Sequence, residues 1–252
     1  MTAIRRTTLA LLIAAPLALG LAACNKSDGS TGAASTAAAI APVAAPAGKA
    51  WTDVVAPTKD GGMLMGNPNA PLKLVEYGSL SCPHCAKLAN EGMEPLKTKY
   101  VTSGRVSYEF RSLMIHGIID MPLTMMLQCA SPDAYFGLVE QLYTNQDAVL
   151  NRAQQANAQA EAATKLPPAQ RYAGLADAFG LTDWFAERGV SVDQSRACLS
   201  NTQTAEQIAK VTETASAAGV DSTPTLFLNG AKLTDVTSWA QLEPALQNAG
   251  AR

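Results

Sequence analysis

The sequence predicts an α/β protein whose sheet is interrupted by a long helical block. A strand–helix–strand run spans residues 72–110, helical periodicity fills Met121–Gly219, and strand character returns at Thr225 before a closing helix. Period-2 alternation and apolar spacing of about 3.6 residues are the signals that separate these stretches.

The elements follow in chain order. Arg5 and Arg6, then an apolar stretch from Leu9 to Ala23 broken by Pro16, have the layout of a cleavable secretory signal over residues 1–23. The stretch is short of the roughly 20 apolar residues that a spanning helix needs, and a permanent anchor helix is the competing reading. Its end, Leu21-Ala22-Ala23-Cys24, resembles the lipobox of bacterial lipoproteins, which implies cleavage before Cys24 and lipid on that cysteine. Residues 24–59 come next. From 25 to 50 they are rich in Gly, Ala, Ser, Thr and Pro, with only Lys26, Asp28 and Lys49 charged and no period that could bury a face. A flexible tether is expected there. One compact domain is expected over residues 60–252, with a helical insertion at about 116–219.

Within that domain Leu72–Gly78 reads as a buried strand, Pro83–Tyr100 as a helix, and Arg105–Phe110 as a strand with Val106, Tyr108 and Phe110 on one face. Together they make a βαβ unit. In the helical block Ser131-Pro132-Asp133 starts a helix running to Tyr143, and Gly219 stops another over Thr202–Ala218. Pro167, Pro168, Gly180 and Gly189 punctuate the rest. Thr225–Leu228, the turn Asn229-Gly230 and Ala231–Leu233 read as a hairpin, and Ser238–Asn248 as the closing helix.

Charge and cysteine usage bound the function. The formal charge of −2 becomes −4 once residues 1–23 are removed, because that segment carries two arginines and no acid. No Lys/Arg cluster remains to neutralise a row of phosphates, which argues against nucleic acid as a partner. Export implies an oxidising compartment in which disulfides persist. The five cysteines then divide into one for lipid, a close pair at 82 and 85, and two left over. Cys129 and Cys198 are about 70 residues apart, so linking them restricts the unfolded chain by roughly 4 kcal/mol on the loop-entropy model. A structural disulfide is expected, with a pair of buried free thiols as the alternative.

The chemistry concentrates at Cys82-Pro83-His84-Cys85, which joins the first strand to the first helix. Two thiols at this spacing can close and open reversibly. The first N–H groups of a helix lack intrahelical partners and favour negative charge, so Cys82 should be the attacking sulfur and Cys85, one turn deeper, the resolving one. Pro83 at the first helical turn forfeits no hydrogen bond, and His84 offers a positive neighbour. A zinc site would want a second ligand pair, whereas Cys129 and Cys198 stand apart and the other histidine is His116. A c-type haem would need His directly after the second cysteine, where Ala86 stands. A purely structural bridge is the remaining alternative, but one closing a two-residue loop constrains little of the unfolded chain. No metal and no cofactor are expected. His116 could line a groove beside the pair but is left outside the site.

Glu76, six positions before Cys82, Cys82-Pro83-His84-Cys85 itself and Ser222-Thr223-Pro224-Thr225 before the hairpin give the chain a specific likeness over roughly residues 60–250. It resembles the DsbA family of thiol-disulfide oxidoreductases, in its lipoprotein-like bacterial members. The resemblance implies a thioredoxin fold with an inserted helical domain and a buried Glu76 that exchanges a proton with Cys85, against the plain reading of a strand glutamate facing water. It also implies a cis Pro224 opposite the dithiol, where sequence alone favours trans. Thr223 and Pro224 are thereby assigned to substrate binding. Expected partners are reduced or unfolded exported proteins, a DsbB-like membrane redox partner, and a membrane reached through the lipid; the expected state is a monomer in the periplasm. Thr223 also resembles isomerases and reductases at this position. Those readings, and a noncatalytic metal-binding lipoprotein, are the alternatives.

Overall fold

The computed structural model describes residues 37–252. Cys24 and the signal-like stretch lie outside the described residues. A six-stranded sheet forms the centre: β1 (Val55–Pro57), β2 (Met63–Met65), β3 (Leu72–Gly78), β4 (Val106–Ser112), β5 (Thr225–Leu228) and β6 (Ala231–Lys232) lie in the order β1-β2-β4-β3-β5-β6. Among the described strands only β3 and β4 run parallel, with Leu74 opposite Tyr108 and Glu76 opposite Phe110. The other neighbours pair antiparallel, and β5 sets Leu226 beside Glu76.

Alternation along the strands decides what each face touches. Leu72, Leu74 and Glu76 of β3, with Val106, Tyr108 and Phe110 of β4, are buried in the main core. That core lies under α1 (Pro83–Pro95) and the helical block. The opposite face places Tyr77 edge-on against Phe227, beside Leu113, Ala215 and Val220. Tyr108 packs on Phe136 and Phe110 on Tyr143, so the helical block shares the sheet's core. Its helices are α2 (Asp120–Cys129), α3 (Pro132–Thr144), α4 (Gln146–Gln155), α5 (Asn157–Thr164), α6 (Pro168–Ala178), α7 (Leu181–Ala186), α8 (Val192–Leu199) and α9 (Thr202–Ala217). The chain closes with α10 (Trp239–Asn248), which lies so close to α1 that a Cβ on Gly92 would come within 2.6 Å of the Trp239 ring.

Three local readings are corrected. The helix expected over Pro83–Tyr100 is α-helical only to Pro95, after which Leu96–Val101 forms π-type turns. Pro95 has no N–H to donate, and loss of that rung lets the ladder shift. Residues 37–50, expected as tether, run extended along the domain. Ala37 and Ile40 donate to the carbonyls of Asn248 and Gly250, Val43 donates to Ser103, and Arg105 Nε donates to Ile40 at 2.6 Å. The segment itself offers only backbone groups to these bonds, so no side-chain periodicity betrays it. The short strands β1 and β2, three residues each, were not expected at all.

Cys129, ending α2, is bonded to Cys198 in α8, with Cα atoms 6.0 Å apart and a sequence separation of 69. The bridge clamps two helices within the block, far along the chain from the 82–85 pair. Replacing both with alanine is expected to lower stability by about 2–4 kcal/mol in urea unfolding. A loss below about 1 kcal/mol would show that the helices hold without it.

Candidate active site

The pair sits where β3 delivers the chain to α1. Cys82 caps α1 in extended geometry, Pro83 takes the first helical position, and Ala86 N–H donates to the Cys82 carbonyl at 3.1 Å. Both cysteines are buried thiols. Across from them the Thr223–Pro224 bond is cis, and the Cys82 thiol donates to the Thr223 carbonyl at 3.3 Å. Thr223 Oγ1 is buried with no hydrogen-bond partner among the described residues, and its hydroxyl is placed to favour charge on the same sulfur.

Glu76 enters from below on β3. It is buried, and the Tyr108 hydroxyl donates to its Oε2 at 2.7 Å. Gly78 makes the close approach possible: a Cβ there would lie 2.5 Å from the Phe110 ring and 3.0 Å from Glu76 Oε1.

The two sulfurs are electrically unequal. A hydrogen bond from the Cys85 side chain, helped by Thr223 and by the backbone N–H groups of Cys85 and His84, outweighs burial and brings Cys82 down to about 5. Burial, the Cys82 hydrogen bond and the charges of Glu76 and Cys82 push Cys85 well above the usual thiol range. Burial raises Glu76 to about 7 against the opposing Tyr108 bond, with the Cys82 charge adding to the rise. His84 is exposed, and its backbone N–H is among the groups that favour the Cys82 thiolate.

Cys82, Cys85, Glu76, Thr223 and Pro224 are therefore brought together; Cys129 and Cys198 are not. Sequence reading missed the loop that precedes Cys82. Ser79 and Ser81 send their hydroxyls to the fully buried Asp120 of α2 at 2.9 and 2.8 Å, and Tyr143 donates to Ser79 O at 3.2 Å. His116 N–H also donates to Asp120, and because the Ser79 hydrogen is committed there, His116 Nδ1 at 3.0 Å is the donor to Ser79 Oγ. Gln146 Nε2 donates to the carbonyls of Leu80 and Cys82. The nearest sequence signal was the Ser-Leu-Ser spacing before Cys82. A separate cleft of about 620 Å³ opens on the other face of the sheet, beside Tyr77, Arg111 and Lys210. Arg111 is already bonded there to Glu109, Tyr77 and Asp60, and the cleft plays no part in the dithiol site.

These displacements set a pH dependence. With its folded value near 5 against an ordinary 9, Cys82 contributes stability that is present above the unfolded value and lost as pH falls through 5. Glu76, raised from 4.5 to about 7, contributes stability present below 4.5 and lost as pH rises through 7. In the reduced protein the two slopes oppose between 5 and 7. A disulfide form keeps only the Glu76 slope. Unfolding of both forms across pH 5–9 is expected to show the reduced form gaining steadily on the oxidised one; parallel curves would rule out a stabilised Cys82 thiolate.

A family model described as Thioredoxin matches residues 58–248. A Rickettsia conorii protein, provisionally named a protein-disulfide oxidoreductase, is 27% identical over 172 residues, covering 68% of this chain and 54% of the relative. The chain thus spans about half the length of the curated relatives it matches. The crystal structure of a protein-disulfide isomerase from Novosphingobium aromaticivorans superposes with a TM-score of 0.68 at 29% identity, covering 73% of this chain and 94% of that one. Wolbachia pipientis alpha-DsbA1 shares the fold, with a TM-score of 0.59 at 19% identity over 75% of this chain and 90% of its own. With a matched sheet, an inserted helical block and a dithiol at the strand–helix junction, the chain belongs to the thioredoxin family whose model it matches.

Proposed function

We propose that this protein introduces disulfide bonds into exported proteins by exchange at Cys82–Cys85, held at a membrane surface in the periplasm by lipid on Cys24. The observation that carries the reading is the electrical inequality of two buried sulfurs facing a cis proline. A substrate thiolate attacks Cys82 of the enzyme disulfide; the Cys82–Cys85 bond breaks, a mixed disulfide forms, and Cys85 takes up a proton for which Glu76 is the nearby donor. The substrate's second thiolate then attacks its own sulfur in the mixed disulfide. Cys82 leaves as a thiolate, the substrate has lost two electrons, and the enzyme has gained them. A sulfur that is stable as a thiolate is a good leaving group, and its stability favours the reduced enzyme, so the couple should be oxidising. Half-buried Thr223, next to the exposed Asp221 and Ser222, supplies the peptide-docking edge in this scheme. A DsbB-like membrane protein would reoxidise the dithiol.

A second reading has its own support. Thr223 before the proline also resembles isomerases and reductases, and the Novosphingobium neighbour is titled an isomerase. In that case a membrane partner keeps the dithiol reduced.

Equilibration with glutathione separates the two. A potential near −120 mV is the expected result, and one near −270 mV would reverse the direction of electron flow. In a second experiment Cys85→Ala, mixed with a reduced unfolded protein and a disulfide reagent, should accumulate a mixed disulfide at Cys82 on non-reducing gels; Cys82→Ala should accumulate none. Glu76→Gln should slow release of Cys85 from the disulfide several-fold, most clearly below pH 7, where Glu76 otherwise holds a proton.

A further inference from the structure

The loop before the dithiol is gripped from the helical block at every residue. Asp120 takes the Ser79 and Ser81 hydroxyls, Tyr143 holds Ser79 O, and the side-chain amide of Gln146 donates to Leu80 O at 2.9 Å and to Cys82 O at 3.0 Å. Gln146 is the first residue of α4 and is only 5% exposed. Its one NH2 group serves two carbonyls that lie two residues apart, on either side of Ser81. The second of these also accepts the Ala86 N–H that opens α1.

This placement has an electrostatic consequence. A carbonyl oxygen carries partial negative charge, and undonated carbonyls in the loop that carries Cys82 add to the cost of ionising its sulfur. The same two bonds fix the direction in which α1 leaves Cys82, and so the aim of the free N–H groups of His84 and Cys85. Packing alone asks for an apolar side chain at so buried a position; an amide with both hydrogens spent on the redox loop answers a different need.

We propose that Gln146 is a positioning residue for thiol-disulfide exchange: by tying the Leu80 and Cys82 carbonyls it keeps the start of α1 aimed at the Cys82 sulfur and favours the dithiol over the disulfide. The inference rests on the reading of Cys82–Cys85 as the redox couple. The reaction that reports it is reduction of the enzyme disulfide by two glutathione thiols, which yields the enzyme dithiol and one glutathione disulfide. Two electrons pass to the enzyme.

The test uses the full chain carrying Gln146→Met, which keeps the length and removes the donor, and Gln146→Asn, which keeps the amide but falls short of the loop. The glutathione equilibrium constant should fall about tenfold in each, equivalent to about 30 mV towards a less oxidising couple. The thiolate absorbance midpoint at 240 nm should rise with it. A residue that only packs would destabilise the oxidised and reduced forms equally, so unchanged constants in variants with lowered urea midpoints would overturn the inference. If Gln146→Met does not fold, Gln146→Asn alone decides it, and if neither folds in either redox form, Gln146 is structural and the inference falls. Failure of the wild-type pair to equilibrate with glutathione is a different result: it removes the redox reading itself.

Discussion

Three acidic groups meet where β3 passes into α1, and only one of them can be ionised there at low cost. Cys82, Cys85 and Glu76 are all buried. Burial disfavours charge on each, and charge on any one disfavours it on the others. Cys82 escapes because it alone stands at the helix start, with N–H groups, the Cys85 thiol and Thr223 directed at it. Cys85 lies one turn deeper and Glu76 below that, so both are held towards their protonated forms at neutral pH. Gly78 keeps a Cβ out of the space between Phe110 and Glu76, and the Tyr108 bond to the carboxyl works against burial, limiting how far Glu76 is pushed up.

How much of this was legible in the sequence depended on how local each interaction is. The strand Leu72–Gly78, the helix start at Pro83 and the hairpin at Asn229-Gly230 are written in neighbouring residues, by alternation, by a proline with no hydrogen bond to lose and by a turn dipeptide. The segment 37–50 was not legible, because it is fastened through carbonyls and amides that every residue possesses. Strands β1 and β2 were too short to show a period, and their existence depends on the edge that β4 offers. Pro95 was visible in the sequence, but whether it would end the helix or shift its ladder depended on packing beyond it.

The candidate site divides in the same way. Cys82 and Cys85 were legible because their spacing is fixed by one helical turn, whereas the role given to Glu76 came through family likeness. Pro224 was found through family likeness, since its isomer is decided by a sheet partner far along the chain. Asp120 and Gln146 were missed. Nothing near residue 120 or 146 announces a partner at 79–82, and an acid or an amide in a helical stretch reads as an ordinary surface residue until the fold buries it.

The site is therefore assembled from two sources that can vary separately. The sheet and α1 supply the sulfurs, the carboxyl and the proline, and with them the ability to exchange disulfides at all. The helical block supplies the posture of residues 79–82 through Asp120, Tyr143 and Gln146. The direction of exchange depends on a difference between two large quantities, the stabilities of the dithiol and disulfide forms. A tenfold change in that balance is only about 1.4 kcal/mol, comparable to one or two buried hydrogen bonds. A block that holds the loop a little differently can thus move the balance without changing any residue of the dithiol motif. On this reading the four residues Cys82-Pro83-His84-Cys85 do not by themselves fix which way the electrons run, because the posture of the loop that carries them is set from elsewhere in the chain.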